Sequence, residues 1–190
     1  MEWFKKYEDK LGVRYKTFHK LLSTAVDRGL KNIVETGTSR GKDKFYYLRP
    51  KVNWKDGMST ILFAEYVKLN KGQLWTCDID AKNIRNASLF LKDLNLNANL
   101  IVSDSLKFLE EFNETIDVLY LDSHDGNLPG ANEHQLREAQ LSIGKVNPNG
   151  LIMLDDKGQK TKLSVPFIIK NGWKIDFETE NQVIFRKENQ

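Results

Sequence analysis

Short continuous apolar runs alternate along the chain with stretches in which apolar residues recur at helical spacing. Tyr15, Phe18, Leu22, Ala25 and Val26 fall on one face of a helix over residues 14–29. The run KNIVET (31–36) follows and reads as a strand. Met58, Ile61, Leu62, Glu65 and Leu69 set a helix over 58–70, and QLWTCDI (73–79) a second strand. The same alternation predicts a helix over 81–94, the strand ANLIVS (98–103) and a short helix SLKFLEEF. The strand IDVLYLD (116–122) comes next, then a helix over 131–145 through Leu136, Ala139 and Ile143. GLIMLDD (150–156) is a fifth strand, and a short helix over 162–170 follows it. WKIDFETE and QVIFRK alternate apolar and polar residues and predict a closing antiparallel pair.

Five strands separated by helices predict a parallel sheet covered on both faces. Strands one, four and five are near-continuous apolar runs, as strands buried on both sides must be. Ligands of such sheets bind beyond the C-terminal ends of the strands. There the chain carries Glu35, Asp78 with Asp80, Ser103 with Asp104, Asp122, and Asp155 with Asp156. Every strand ends in an acid or a hydroxyl, which marks that edge as the site.

Composition narrows the class only a little. The chain has 190 residues, 40% hydrophobic and 29% charged, and suits one soluble globular domain. Its net charge of +3, from 29 basic and 26 acidic residues, is too small and too evenly spread to point to nucleic acid. Cys77 is the single cysteine, so no internal disulfide forms, and its apolar surroundings mark it as a packing residue. The N-terminus MEWFKKYEDKLG has no apolar signal core, and no run has the length of a membrane span. The expectation is a cytoplasmic protein with no membrane partner.

The segment NIVETGTSRGKD raises the question of the ligand. Gly37 and Gly41 are separated by three residues, one short of a P-loop, and Asp43 stands where the Mg-binding hydroxyl belongs. A dinucleotide site lacks its third glycine here, and Glu35 would disfavour pyrophosphate. An acid at that place suits an ammonium or sulfonium. S-adenosylmethionine carries both and no phosphate.

Together these segments resemble the class I S-adenosylmethionine-dependent methyltransferases. VETGTSRG is similar to their E-x-G-x-x-x-G motif, LWTCDID to the acidic end of strand two, and IVSDSLKFL to the adenine segment. IDVLYLDSHD is similar to the fourth motif, and VNPNGLIMLDD to the glycine turn and fifth strand. The resemblance covers about residues 30 to 187. LDSHD with EHQLREAQ and GLIMLDD further resembles the metal-dependent branch. That branch holds macrocin-type sugar O-methyltransferases, cephalosporin-hydroxylase-like proteins and, more distantly, catechol O-methyltransferase.

The resemblance implies a three-layer Rossmann-like α/β fold with a seven-stranded, mostly parallel sheet and an antiparallel last strand. Glu35, Gly37, Thr38, Gly41, Ser59, Asp78, Asp104, Ser105 and Asp122 would then bind S-adenosylmethionine. Asp78 would take the ribose hydroxyls. Asp80 is the fallback there, or it caps the next helix, and Asp104 and Ser105 face adenine or cap theirs. Asp122, Asp155 and Asp156 would hold Mg2+, a hard cation that wants carboxylate oxygens. The base would be His124 or Asp125, or metal coordination would suffice; histidine titrates near neutrality, and relatives often place their base three residues after the strand-four Asp. His134 is either a support for this site or structural, and His19 structural.

One departure from the family pattern stands out. Residues 42–57 intervene before the next helix and carry Phe45, Tyr46, Tyr47 and Trp54 among Lys42, Lys44, Arg49, Lys51 and Lys55. So aromatic and basic an insertion reads as a lid over the acceptor, with Arg49 pairing an anionic group, or else as an oligomer contact or extra packing. Residues 1–30 form a helical extension, and 31–190 the cofactor-binding domain. The expected reaction is Mg2+-assisted O-methylation of a small hydroxylated acceptor, a sugar or secondary metabolite. A metal-independent N- or O-methyltransferase, or a non-catalytic cofactor binder, is the alternative. A homodimer is compatible with the sequence.

Overall fold

The structure is a computed structural model that describes residues 1–42 and 50–187. The chain opens with a 3-10 turn (Glu2–Tyr7), α1 (Glu8–Leu11), a second 3-10 turn (Gly12–Arg14) and α2 (Tyr15–Asp27). There follow β1 (Asn32–Thr36), α3 (Ser59–Asn70), β2 (Gln73–Asp78), α4 (Ala81–Asp93) and β3 (Asn99–Val102). Then come α5 (Ser105–Glu111), β4 (Ile116–Leu121), α6 (Ala131–Ser142), β5 (Val146–Leu154), α7 (Ser164–Lys170), β6 (Trp173–Glu178) and β7 (Val183–Lys187).

The seven strands form one sheet in the order β3-β2-β1-β4-β5-β7-β6. Pairings from β3 through β5 are parallel, and β7 runs antiparallel to both β5 and β6. A tight turn closed by Thr179 N–H on the Gln182 carbonyl (2.9 Å) returns β7 between its neighbours. The strand order reverses between β1 and β4, so the loops after these two strands diverge and open a crevice between them.

Each face of the sheet carries its own core. Phe18, Leu22, Leu62, Phe63, Phe90 and Tyr120 belong to the one under α2, α3 and α4. Phe108, Leu109, Ala139, Ile168 and Phe185 belong to the one under α5, α6 and α7. Burying a side chain of this size contributes about 1.5–3 kcal/mol.

Residues 1–30 add to the first core through Phe4, Tyr7, Leu11 and Leu30. Tyr7 and Lys6 both bond Glu65 on α3. This cover explains why α3 is buried on nearly every side rather than along one stripe. Trp54, expected over the acceptor, instead packs against Tyr7 with ring centroids 5.2 Å apart and takes Lys10 on its face. Lys42 and Lys51 form a single antiparallel bridge across the insertion. Lys44, Phe45, Tyr46, Tyr47 and Arg49 lie outside the described residues, so the lid reading stays untested for them.

α6 differs from its expected apolar face. Gln135 and Glu138 are buried with Ala139, while Leu136 is only half-buried. The polar pair has partners within reach: Gln135 accepts from Ser164 Oγ at 2.7 Å, and Glu138 accepts from Ser123 Oγ at 2.7 Å. Buried polar groups are tolerated when bonded in this way.

Candidate active site

At the end of β1 the chain turns through Gly37 at φ +81°. A Cβ there would lie 2.6 Å from the Asp122 carbonyl oxygen, so close approach to the β4 loop requires glycine. Gly41 (φ +71°) serves another purpose. Its α-carbon packs on Phe90, where a Cβ would meet the ring at 2.4 Å, and Gly41 does not line the cleft.

Glu35 is wholly buried beneath this turn. It accepts from Ser59 Oγ at 2.5 Å and from Thr60 Oγ1 at 2.7 Å. Burial pushes its carboxyl up to about 7, against the pull of the hydroxyl hydrogen bonds. Ser59 lines the cleft and Glu35 does not, so the carboxylate reaches the cleft only through that hydroxyl. Thr60 also accepts from Ser39 N–H at 2.8 Å and so ties the glycine loop to α3.

Two connected chambers lie over the strand ends. The smaller, about 120 Å3, is lined by Asp78, Ile79, Ser103, Asp104, Ser105, Ser123, His124 and His134. Asp78 projects from the end of β2, its oxygens accepting from Asp80 N–H (2.8 Å) and from Asn83 Nδ2 (3.1 Å). Ile79 is 73% exposed and presents an apolar surface beside Asp78. Asp80 caps α4 through Lys82 N–H, and Asp104 caps α5 through Leu106 N–H while still lining the chamber. Ser105 Oγ meets His134 Nε2 at 2.9 Å, and His134 in turn faces Glu138.

The larger chamber, about 430 Å3, shares Gly37, Asp78, Ile79, Ser123 and His124 with the first. It adds Arg14, Thr38, Arg40, Lys55, Ser59, Asp122, Asp125 and Asp156. His124 stands at the junction, its ring 5.2 Å from that of His134. Asp125 is paired with Arg40 at 3.2 Å. His124, the other candidate base, makes no such ion pair among the described residues.

The three carboxylates expected to hold Mg2+ have other partners. Lys160, 2% exposed, places Nζ 2.7 Å from Asp122 Oδ1 and 3.1 Å from Asp156 Oδ2. Asp155 Oδ2 accepts from Tyr120 Oη at 2.6 Å, Asp155 Oδ1 accepts from Asp156 N–H, and Arg14 Nε lies 3.4 Å away. Among the described residues no three His, Cys, Asp or Glu side chains converge on a point where a metal would sit. This donor set does not fit a divalent cation. Burial and then Asp155 push the Asp122 carboxyl up, while Lys160 opposes them. Burial alone would lower Lys160, but Asp122 and Asp156 hold its ammonium above the ordinary lysine value.

Sequence reasoning did not single out Lys160, Arg14 or Ile79. Lys160 and Arg14 read as solvated surface residues, and only the fold turns them inward. Ile79 alone carried a signal, as an apolar residue between two strand-end acids.

No curated protein matches the chain. Solved structures do, at the level of fold. A methyltransferase of Podospora anserina, PaMTH1, bound to SAH, superposes with a TM-score of 0.66 at 16% identity, covering 99% of this chain and 86% of that one. SMU.1697c of Streptococcus mutans, in complex with SAH, gives 0.62 at 15% identity, covering 93% and 98%. The 16S rRNA methyltransferase RsmC of T. thermophilus, in complex with AdoMet and guanosine, gives 0.65 at 14%, covering 94% of this chain but 43% of that one. Among the described residues no helix is long and apolar enough to cross a membrane. A family model described as a methyltransferase domain matches residues 54–157, and the chain belongs to that family as a class I S-adenosylmethionine-dependent methyltransferase.

Proposed function

We propose that the protein methylates a hydroxyl of a small acceptor that also carries an anionic group, such as an acidic sugar or secondary metabolite. The observation that carries this reading is the pair of joined chambers meeting at His124. The smaller one suits the nucleoside of the cofactor: a carboxylate for ribose hydroxyls at Asp78, an apolar surface at Ile79, and hydroxyls at Ser103 and Ser105. The ammonium of the methionine end would lie over Ser59, whose hydroxyl relays the charge of Glu35.

S-adenosylmethionine supplies a methyl group activated by its sulfonium. The residues of this chain do the rest. His124 at the junction accepts the proton of the acceptor hydroxyl, and Ser105 with Glu138 steadies the neighbouring His134 ring. Arg14, Arg40 and Lys55 bring positive groups to a larger chamber that also carries Asp78, Asp80, Asp122, Asp125 and Asp156, and Arg40 is paired with Asp125. Arg14 turns its Nε to Asp155 Oδ2 at 3.4 Å, and its guanidinium borders the chamber, where it would pair an anionic acceptor. The walls hold donor and acceptor at attacking distance, the main source of acceleration for such a transfer. The residues around Asp122 do not fit Mg2+, so the proton transfer falls to side chains of this chain.

Calorimetric titration with S-adenosylhomocysteine, in Mg2+ and again in EDTA, tests the reading. Micromolar binding that is equal in both buffers is expected. Absence of binding in both overturns the proposal.

A further inference from the structure

We propose that Lys160 is the resident cation of the acceptor chamber: its ammonium fills the place between Asp122 and Asp156 and keeps divalent metal out. The inference refines the acceptor site of the proposed reading, and its test needs no acceptor.

The arrangement is built from several directions. Just past β5, Asp156 takes a left-handed conformation at φ +52°, and its carbonyl accepts from Gln159 N–H (2.9 Å) and Lys160 N–H (3.0 Å). That single turn brings the lysine stem back over the strand end, so Nζ meets both carboxylates. Thr161 Oγ1 fastens the turn by accepting from Gly158 N–H at 2.9 Å. Gly126 closes the other side, where a Cβ would lie 2.6 Å from Gln159 Oε1 and 3.3 Å from Asp156 Oδ2. Asp155 is withdrawn from the chamber by Tyr120 and Arg14.

The charge count agrees. Three carboxylates meet two buried or half-buried cations, Lys160 and Arg14. A magnesium ion needs carboxylate oxygens at roughly 2.0–2.1 Å and keeps several waters. It would have to share those oxygens with an ammonium whose stem is packed in place, and like charges at such range repel strongly. Lys160 is 2% exposed and lies behind Asp122 and Asp156, which line the chamber, so its charge acts on the chamber through those two carboxylates. Lys160 thus acts as a positioning residue, orienting Asp122 and Asp156 at the chamber floor.

The experiment titrates the full chain with Mn2+, following the free aquo ion by electron paramagnetic resonance. The parent should show no stoichiometric site up to millimolar Mn2+. Lys160→Met, which keeps the stem and removes the charge, should gain one site, binding roughly tenfold tighter or better. Adding Asp156→Asn to that variant should abolish the site. One Mn2+ taken up by the parent at micromolar concentration, and lost in Asp156→Asn, overturns the proposal. So does a folded Lys160→Met protein that binds no better than the parent. Should Lys160→Met fail to fold, Lys160→Gln, which keeps a polar head without the charge, takes its place with the same expected gain of one site. S-adenosylhomocysteine calorimetry on the same samples reports the cofactor site separately, so the two readings fail in distinguishable ways.

Discussion

At the scale of the residue, the proposed role of Glu35 predicts opposite effects on stability and cofactor binding. A buried carboxyl pushed up to about 7 keeps its proton in the folded chain at pH values where the unfolded chain, near 4.5, has lost it. Its stabilising contribution is therefore complete below pH 4.5 and is lost as the pH rises to about 7. The interval corresponds to about 3 kcal/mol. Glu35→Gln removes this loss, so the variant should gain stability relative to the parent between pH 5 and 8, by urea denaturation. The same variant should bind S-adenosylhomocysteine roughly tenfold or more weakly, because the negative charge that Ser59 relays to the ammonium is lost. The parent should also release a proton on binding at pH 6, seen by calorimetry in two buffers of different ionisation enthalpy. Equal affinity of parent and variant would remove Glu35 from the cofactor site.

At the scale of the element, the acids ending β2 divide their labour. Asp80 bonds the first turn of α4 and borders only the larger chamber, whereas Asp78 faces both. Asp80→Ala should cost about 1 kcal/mol of stability and leave cofactor affinity unchanged. Asp78→Ala should cut S-adenosylhomocysteine affinity roughly tenfold or more, since a carboxylate holding a hydroxyl is worth about 1.5–3 kcal/mol. Calorimetry and chemical denaturation of the two variants separate the roles, and a loss of affinity in Asp80→Ala would reverse the assignment. The strands themselves were legible from sequence, because β1, β4 and β5 are buried on both faces and must be apolar throughout. The acids at the strand ends were legible as a set, but their division was not: Asp78 and Asp122 face the chambers, whereas Glu35 and Asp155 turn to buried partners in the protein. What stayed hidden arises from packing between distant segments. Nothing local to Lys160 shows that it turns back onto Asp122, 38 positions earlier. Nothing in LDSHD shows that Asp125 would be taken by Arg40. The polar inner face of α6 ran against the apolar pattern, since Gln135 and Glu138 find partners on α7 and on the β4 loop.

At the scale of the whole molecule, the first thirty residues do more than cover α3. They bring Arg14 across the sheet to the C-terminal edge of β5, where its Nε faces Asp155 at 3.4 Å and its side chain borders the larger chamber. Asp155 and then Tyr120 and Asp122 hold this guanidinium charged, against the cost of burial. A segment outside the parallel sheet thus supplies part of the wall of the larger chamber, while the smaller chamber is built by the sheet and its own loops. The division predicts a division in kinetics. Arg14→Ala should raise KM for an anionic acceptor roughly tenfold, the worth of one charge-assisted hydrogen bond, and leave S-adenosylhomocysteine affinity within about twofold. Arg14→Lys should restore part of the loss, because the charge returns without the planar fork. A neutral analogue of the same acceptor should be indifferent to both changes. Loss of cofactor affinity in step with thermal stability, at unchanged KM, would make Arg14 a strut for Asp155 and take the N-terminal segment out of acceptor recognition.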